Sequence, residues 1–309
     1  MDNREILDSI EKLVEDYVKC WERGESKISV KSSKKVYLST ALTPCEQRYL
    51  IIVHYPLHEL PLDVLRKLPV ILIRTHKAQN VNHDHKYLWA WVAQVINETR
   101  KELTLFENPE LLNQINLLFR INVLPTTRLT AAFPELVELV ANEFIISACL
   151  VFPLLERLLK IKCAKHVKID GTVIKPFEVP MDGDVICYGR KRKRVSRVGH
   201  LLYLFEHCYA SEDLRRDLES FRSTCVDVYG VNGKGYGYYF IDRWRNILLH
   251  GEEFWPVMNA VLVNLITLLI LYEIPDDVYL SKREIIVRNL RFWLEAGTGS
   301  PFIFYPPKD

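Results

Sequence analysis

The residues with the clearest chemical content lie in the run Arg245-Asn246-Ile247-Leu248-Leu249-His250-Gly251. Periodicity predicts a helix over 237–250, and Gly251 is a natural stop because glycine adopts the left-handed conformation cheaply. Asn246 and His250 are four apart and share a face, and Asp242 continues that stripe one turn back. Arg245 lies about 100° round the helix from Asn246, and its long side chain reaches toward the same groove. The C-terminal end of a helix favours a positively charged imidazole. Histidine moves protons near neutral pH, and the planar arginine fork matches phosphate. Such a set suits an RNA phosphodiester. A base takes the proton of the 2′-hydroxyl, that oxygen attacks the neighbouring phosphorus, and a cation stabilises the charge that builds up. No metal or cofactor is needed. The same residues at a helix end can instead simply cap carbonyls and pair with acids.

The elements that must position this set read as helices almost throughout, with apolar residues at steps of three and four. Helices are predicted over 3–23, 43–56, 62–76, 85–106 and 109–120, the second opened by Thr43-Pro44 as cap and first-turn proline. Tyr87, Trp89, Trp91, Val92, Val95 and Ile96 make the fourth strongly aromatic, and such a cluster reads as core. The Thr- and Pro-bearing stretch from Asn122 to Phe133 suggests a boundary. A long apolar helix is predicted over 134–165, bent at Pro153. Residues 166–194 carry the turn signals Asp170-Gly171 and Asp182-Gly183 and read as a long loop with one hairpin. Helices resume at 195–209, 211–229, 237–250 and 254–273, and a last one is predicted over 281–295. The expected fold class is all-α. A helical region (1–125) of open role precedes a four-helix bundle (126–275), and a C-terminal helix and tail (276–309) follow.

The densest charge is Arg190-Lys191-Arg192-Lys193-Arg194, followed by Arg197; it reads either as an RNA-backbone contact or as a solvated loop. Glu156 on the 134–165 helix is a candidate partner for Arg243 or Arg245, and Arg222 is a candidate phosphate ligand. The glycine-rich run Gly230 to Gly237 follows no strand, so it reads as a flexible loop rather than a phosphate cradle. His83-Asp84-His85 and Cys163-x-x-His166 lack further ligands at recognisable spacing and are read as structural.

Arg245-Asn246-x-x-x-His250 resembles the Arg-polar-x-x-x-His signature of HEPN domains, over roughly residues 134–273. Those are helical bundles, many of them metal-independent endoribonucleases of toxin, phage-defence and CRISPR-linked systems. The resemblance implies a homodimer whose two motifs form one cleft. It implies that Arg245 and His250 are catalytic, that Asn246 orients the site, and that the product ends in a 2′,3′-cyclic phosphate. Some members of that family bind RNA or nucleotides without cutting, which leaves a non-catalytic binding module as the alternative. A helical partner of another polypeptide, such as an antitoxin or regulator, is a third reading.

Composition sets the outer limits. The chain has 309 residues, 49% hydrophobic and 26% charged, which excludes a disordered polypeptide. Lys+Arg (41) and Asp+Glu (39) nearly cancel, so any nucleic-acid footprint must be local. Seven cysteines without a C-x-x-C pair point to thiols in a reducing compartment, and the charged start is unlike a secretory signal. Val257 to Tyr272, interrupted by Asn259 and Asn264, reads as a buried helix rather than a membrane span. These features lead to the expectation of a cytoplasmic protein without a membrane partner.

Overall fold

The computed structural model describes residues 2–22, 29–31, 35–37, 50–52, 54–78, 81, 83–123, 138, 142–181, 184–189, 192–230 and 237–295. Among them are ten α-helices and two short antiparallel hairpins. Two compact units result: residues 142–266 form one, and the flanking segments 1–141 and 267–309 form the other.

The flanking unit begins with α1 (Asn3–Glu22), which buries Ile10, Val14, Tyr17 and Val18 at helical spacing. A hairpin follows, β1 (Ser29–Lys31) with β2 (Lys35–Tyr37). Next come α2 (Leu62–Ile73), α3 (His83–Thr99) and α4 (Pro109–Asn122). The helix predicted to run to residue 76 ends at Ile73 and tightens into a 3-10 turn over Arg74–Ala78. The predicted 85–106 helix stops at Thr99, and Leu103, in extended conformation, leads directly into another 3-10 turn over Thr104–Glu107. Thr99 donates its hydroxyl to Val95 O at 2.8 Å, so its side chain bonds back into the last turn. The aromatic cluster from Tyr87 to Ile96 is buried core.

Thr43-Pro44 lies outside the described residues, and residues 50–52, 54 and 55 are turn or bend rather than helix. Those turn amides are held by one buried carboxylate. Asp84 accepts from Leu50 N, Ile51 N and Ile52 N at 2.7–3.1 Å. His85 faces His76 instead, ring on ring, with Nε2 to Nε2 at 3.1 Å. Among the described residues no three His, Cys, Asp or Glu side chains converge as a metal site.

The 142–266 unit contains α5 (Glu143–Lys162), β3 (Phe177–Met181), β4 (Asp184–Tyr188), α6 (Val198–Cys208), α7 (Glu212–Tyr229), α8 (Tyr239–Leu249) and most of α9 (Pro256–Leu271). All five helices predicted between residues 134 and 273 are present, one more than the four of the expected bundle. α6 packs on α5, α7 and α8, and α5 also meets α8. Pro153 sits inside α5. The expected loop with one hairpin is a β ribbon. β3 and β4 pair Phe177 with Tyr188 through Met181 with Asp184, while Val167 bridges Val173 and Thr172 bridges Arg194. α9 is buried without interruption from Asn259 to Leu271, the pattern of an internal helix. Among the described residues no single helix is long and apolar enough to cross a membrane. The last helix, α10 (Asp276–Glu295), starts five residues earlier than predicted, with Asp276 and Asp277 in its first turn.

Candidate active site

The motif lies at the C-terminal end of α8, and its backbone there is fully specified. His250 is the C-cap residue, donating its N–H to Asn246 O at 2.9 Å. Gly251 N donates to Leu248 O and Glu252 N to Ile247 O, a Schellman closure, with Gly251 at φ +71°. The tight stop leaves Asn246 and His250 exposed one turn apart.

Two bonds lock α8 to the segment leading into α6. Asp242, buried on the inner side of α8, accepts from Gly199 N at 3.1 Å. Gly199 is the second residue of α6, and Arg197 at its N-cap supplies no side-chain acceptor, so the carboxylate caps α6 from another helix. One turn along, Arg245 donates Nη1–H to Ser196 O at 2.8 Å.

Arg245 is also held from α5. Its Nη2 lies 3.6 Å from Glu156 Oε2, while Lys160 Nζ lies 2.8 Å from Glu156 Oε1. Glu156 thus sits between two cations, and the Arg245 side chain remains 31% exposed. Arg243 is exposed and points off this face.

The Asp170-Gly171 turn of the ribbon reaches the same place. A Cβ on Gly171 would lie 3.6 Å from Lys160 Nζ and 2.8 Å from Val195 O. Only glycine fits there, at φ +87°. Val195 N donates to Gly171 O and Val173 N to Lys193 O, which ties the basic run into the ribbon. Arg190 and Lys191 lie outside the described residues. Arg192, Lys193, Arg194 and Arg197 are exposed, and Arg194 is partly offset by Asp170 at 3.4 Å. Their field reaches a buried group. His200, hydrogen-bonded through Nδ1 to the Tyr188 hydroxyl at 2.7 Å, has its pKa pushed down to about 4 by burial first, then by Arg197 and Arg192.

Arg222 is engaged elsewhere. It pairs with buried Glu206 and lies over the Tyr238 ring at 5.1 Å, and the Tyr238 hydroxyl donates to the same carboxylate at 2.7 Å. Gly230 caps α7 at φ +60°, so a helix, not a strand, precedes the glycine-rich run, whose residues 231–236 lie outside the described ones. His166 contacts the Tyr209 hydroxyl and, edge-on, the Phe177 ring.

Arg245, Asp242 and Glu156 are therefore brought to the Ser196–Gly199 segment beside the basic run, Asn246 and His250 stand exposed at the end of α8, and Arg222 belongs to a separate cluster. Three contributors escaped the sequence reading: the Ser196 carbonyl, Lys160 and the Gly171 turn. Two left a trace: Lys160 stands four residues beyond Glu156 on α5, and Asp170-Gly171 reads as a turn, though not as part of the site. No protein-family model, curated protein or solved structure matches the chain.

Proposed function

We propose that this chain is a metal-independent endoribonuclease of HEPN type. One observation carries the reading: Arg245 is hydrogen-bonded to Ser196 O, between Arg194 and Arg197. The phosphate-matching arginine and the densest cationic segment are thereby neighbours, although 49 residues separate Arg245 from Ser196 in sequence, and the proton-transfer residue His250 is the C-cap of the same helix. Electrostatic attraction brings the RNA backbone to the Arg192–Arg197 segment. His250 takes the 2′-hydroxyl proton, and the 2′-oxygen attacks phosphorus. Arg245 stabilises the negative charge on the non-bridging oxygens. The phosphorus–O5′ bond breaks, O5′ is protonated by the imidazolium or by water, and a 2′,3′-cyclic phosphate remains. Asn246, exposed beside His250, positions substrate or imidazole. The homodimer, and a toxin or phage-defence setting, rest on the motif's resemblance alone.

A non-cutting RNA-binding module is the second reading. It is favoured by the fact that one N–H of the Arg245 fork is already taken by Ser196 and that its other arm faces Glu156. Cleavage of a broad RNA set in the presence of chelator separates the two. The nuclease reading expects wild type to cut and folded Arg245→Ala and His250→Ala to lose about 100-fold or more. Salt-sensitive binding without cutting by wild type would establish the second reading instead.

A further inference from the structure

The flanking unit carries a cleft of its own, apart from the motif. It has a volume of about 470 Å³ and is lined by His58, Glu59, Arg283, Glu284, Val287 and Arg288. One wall is the 3-10 turn Leu57–Glu59, the other is a face of α10, and both belong to the flanking unit. That volume is in the range of small-molecule pockets. The walls are fastened together where α10 begins. Tyr279, fully buried, donates its hydroxyl to Leu60 O at 3.3 Å. Arg66 reaches Asp63 and Asp276, each at 2.9 Å, and donates to Ile274 O at 2.8 Å. Lys282, one residue before Arg283, is tied to Glu102 at 2.9 Å.

The charges bordering the cleft are left to a ligand. Arg66, Arg74 and Lys282 of this unit each have a carboxylate partner. Among the described residues Arg283, Glu284 and Arg288 form no ion pair. Glu284 and Arg288 stand four apart in the order that favours pairing on a helix, and still they stay apart. Glu59 has a neighbour, lying 3.5 Å from His58 Nε2. The cleft therefore offers two guanidiniums, one carboxylate and one apolar side chain. A guanidinium fork matches carboxylate and phosphate alike. Glu284 decides between them, since its charge repels a phosphate and attracts an ammonium. Two cations and one anion are balanced by a ligand with two anionic groups and one cationic group. Along α10 the order is Arg283, Glu284, Val287, Arg288, over about 7.5 Å of helix axis. An α-amino dicarboxylate has the matching order: carboxylate, ammonium, methylenes, carboxylate.

We infer that this cleft binds an α-amino dicarboxylate of the size of L-glutamate. Arg283 and Arg288 take one carboxylate each, Glu284 takes the ammonium, and Val287 lies against the methylenes. The inference goes beyond the nuclease reading and does not depend on it, because its test contains no RNA. The probe is L-glutamate, titrated calorimetrically into the 309-residue chain. Glutarate lacks the ammonium and L-glutamine lacks the second carboxylate. Each should bind about 10- to 150-fold more weakly than L-glutamate, the worth of one charged hydrogen bond. Arg283→Gln and Arg288→Gln should each weaken L-glutamate by a similar factor, with ligand-free thermal unfolding unchanged. Glu284→Gln should abolish the preference for L-glutamate over glutarate while glutarate still binds, a result that misfolding does not produce.

Three results overturn the inference. One is the absence of binding by wild type at about 10 mM L-glutamate. Another is undiminished L-glutamate binding by the Arg283→Gln, Arg288→Gln double variant. The third is tighter binding of inorganic phosphate or ribose 5-phosphate than of L-glutamate, which makes the cleft a phosphate site instead.

Discussion

Removing the Asp242 carboxylate tests how the site is held. Its Oδ1 is the acceptor for Gly199 N, and both groups are buried. Asp242→Ala leaves that N–H unpaired, at a cost of about 1–3 kcal/mol. Loss of a negative charge from the N-terminal end of α6 adds about 0.3–1 kcal/mol. Asp242→Asn keeps an oxygen in place and should lose mainly the charge contribution, roughly a third of the effect. Native-state hydrogen exchange reads the bond directly. In Asp242→Ala the Gly199 amide should exchange about 5- to 150-fold faster, since 1.4 kcal/mol is a factor of ten. Ser196 and Arg197, three and two residues before Gly199, should loosen with it, so Arg245 loses its carbonyl partner and any RNA cleavage falls too. An unchanged Gly199 exchange rate in Asp242→Ala would refute the capping argument. So would an Asn variant as damaging as the Ala one.

Gly251→Ala and Gly171→Ala separate two kinds of glycine. A Cβ at Gly251 meets nothing within 4 Å, so thermal unfolding should show a conformational cost of about 1–2 kcal/mol. At Gly171 a Cβ would also lie 2.8 Å from Val195 O, so that variant should be clearly the less stable of the two. His200 is held neutral in the folded state with a pKa of about 4, against roughly 6.5 when unfolded. Below pH 6.5 the unfolded chain therefore binds the extra proton, and stability falls as pH falls, by up to about 1.4 kcal/mol per unit until near pH 4; above pH 6.5 His200 adds no slope. Urea midpoints at pH 7.5, 6.5 and 5.0 check this, and His200→Gln should flatten the lower interval. His76, pushed well below its ordinary value by burial and then by His85, adds the same sign of slope. Glu156→Gln removes the charge between Lys160 and Arg245; single-turnover cleavage should slow by about tenfold with little change in RNA affinity.

The parts legible in the sequence are those set by neighbours along the chain. Asn108 and Pro109 announce α4, and the Asn108 side chain accepts from Glu110 N and Leu111 N. Gly251 marks the end of α8 because one residue must turn left-handed there. The predicted helices overrun where the chain tightens into 3-10 turns, after Ile73 and over Thr104–Glu107. Pro275-Asp276-Asp277 is a local start signal for α10, five residues before the predicted start at 281. The site's supports were not legible, because each joins distant residues: Asp242 to Gly199, Arg245 to Ser196, Phe254 to Phe152. Periodicity places a residue on a face but does not say which loop carbonyl or which turn of another helix that face will meet.

The most direct test of the nuclease reading is the chemistry of the cut end. RNA digested with chelator present should carry 2′,3′-cyclic phosphate at the new 3′ ends, and a 2′-deoxy substitution at the cleaved nucleotide should abolish that cut. Both should vanish with His250→Ala. Cleavage that leaves a free 3′-hydroxyl, that proceeds past a 2′-deoxy nucleotide, or that survives loss of His250 would contradict the account.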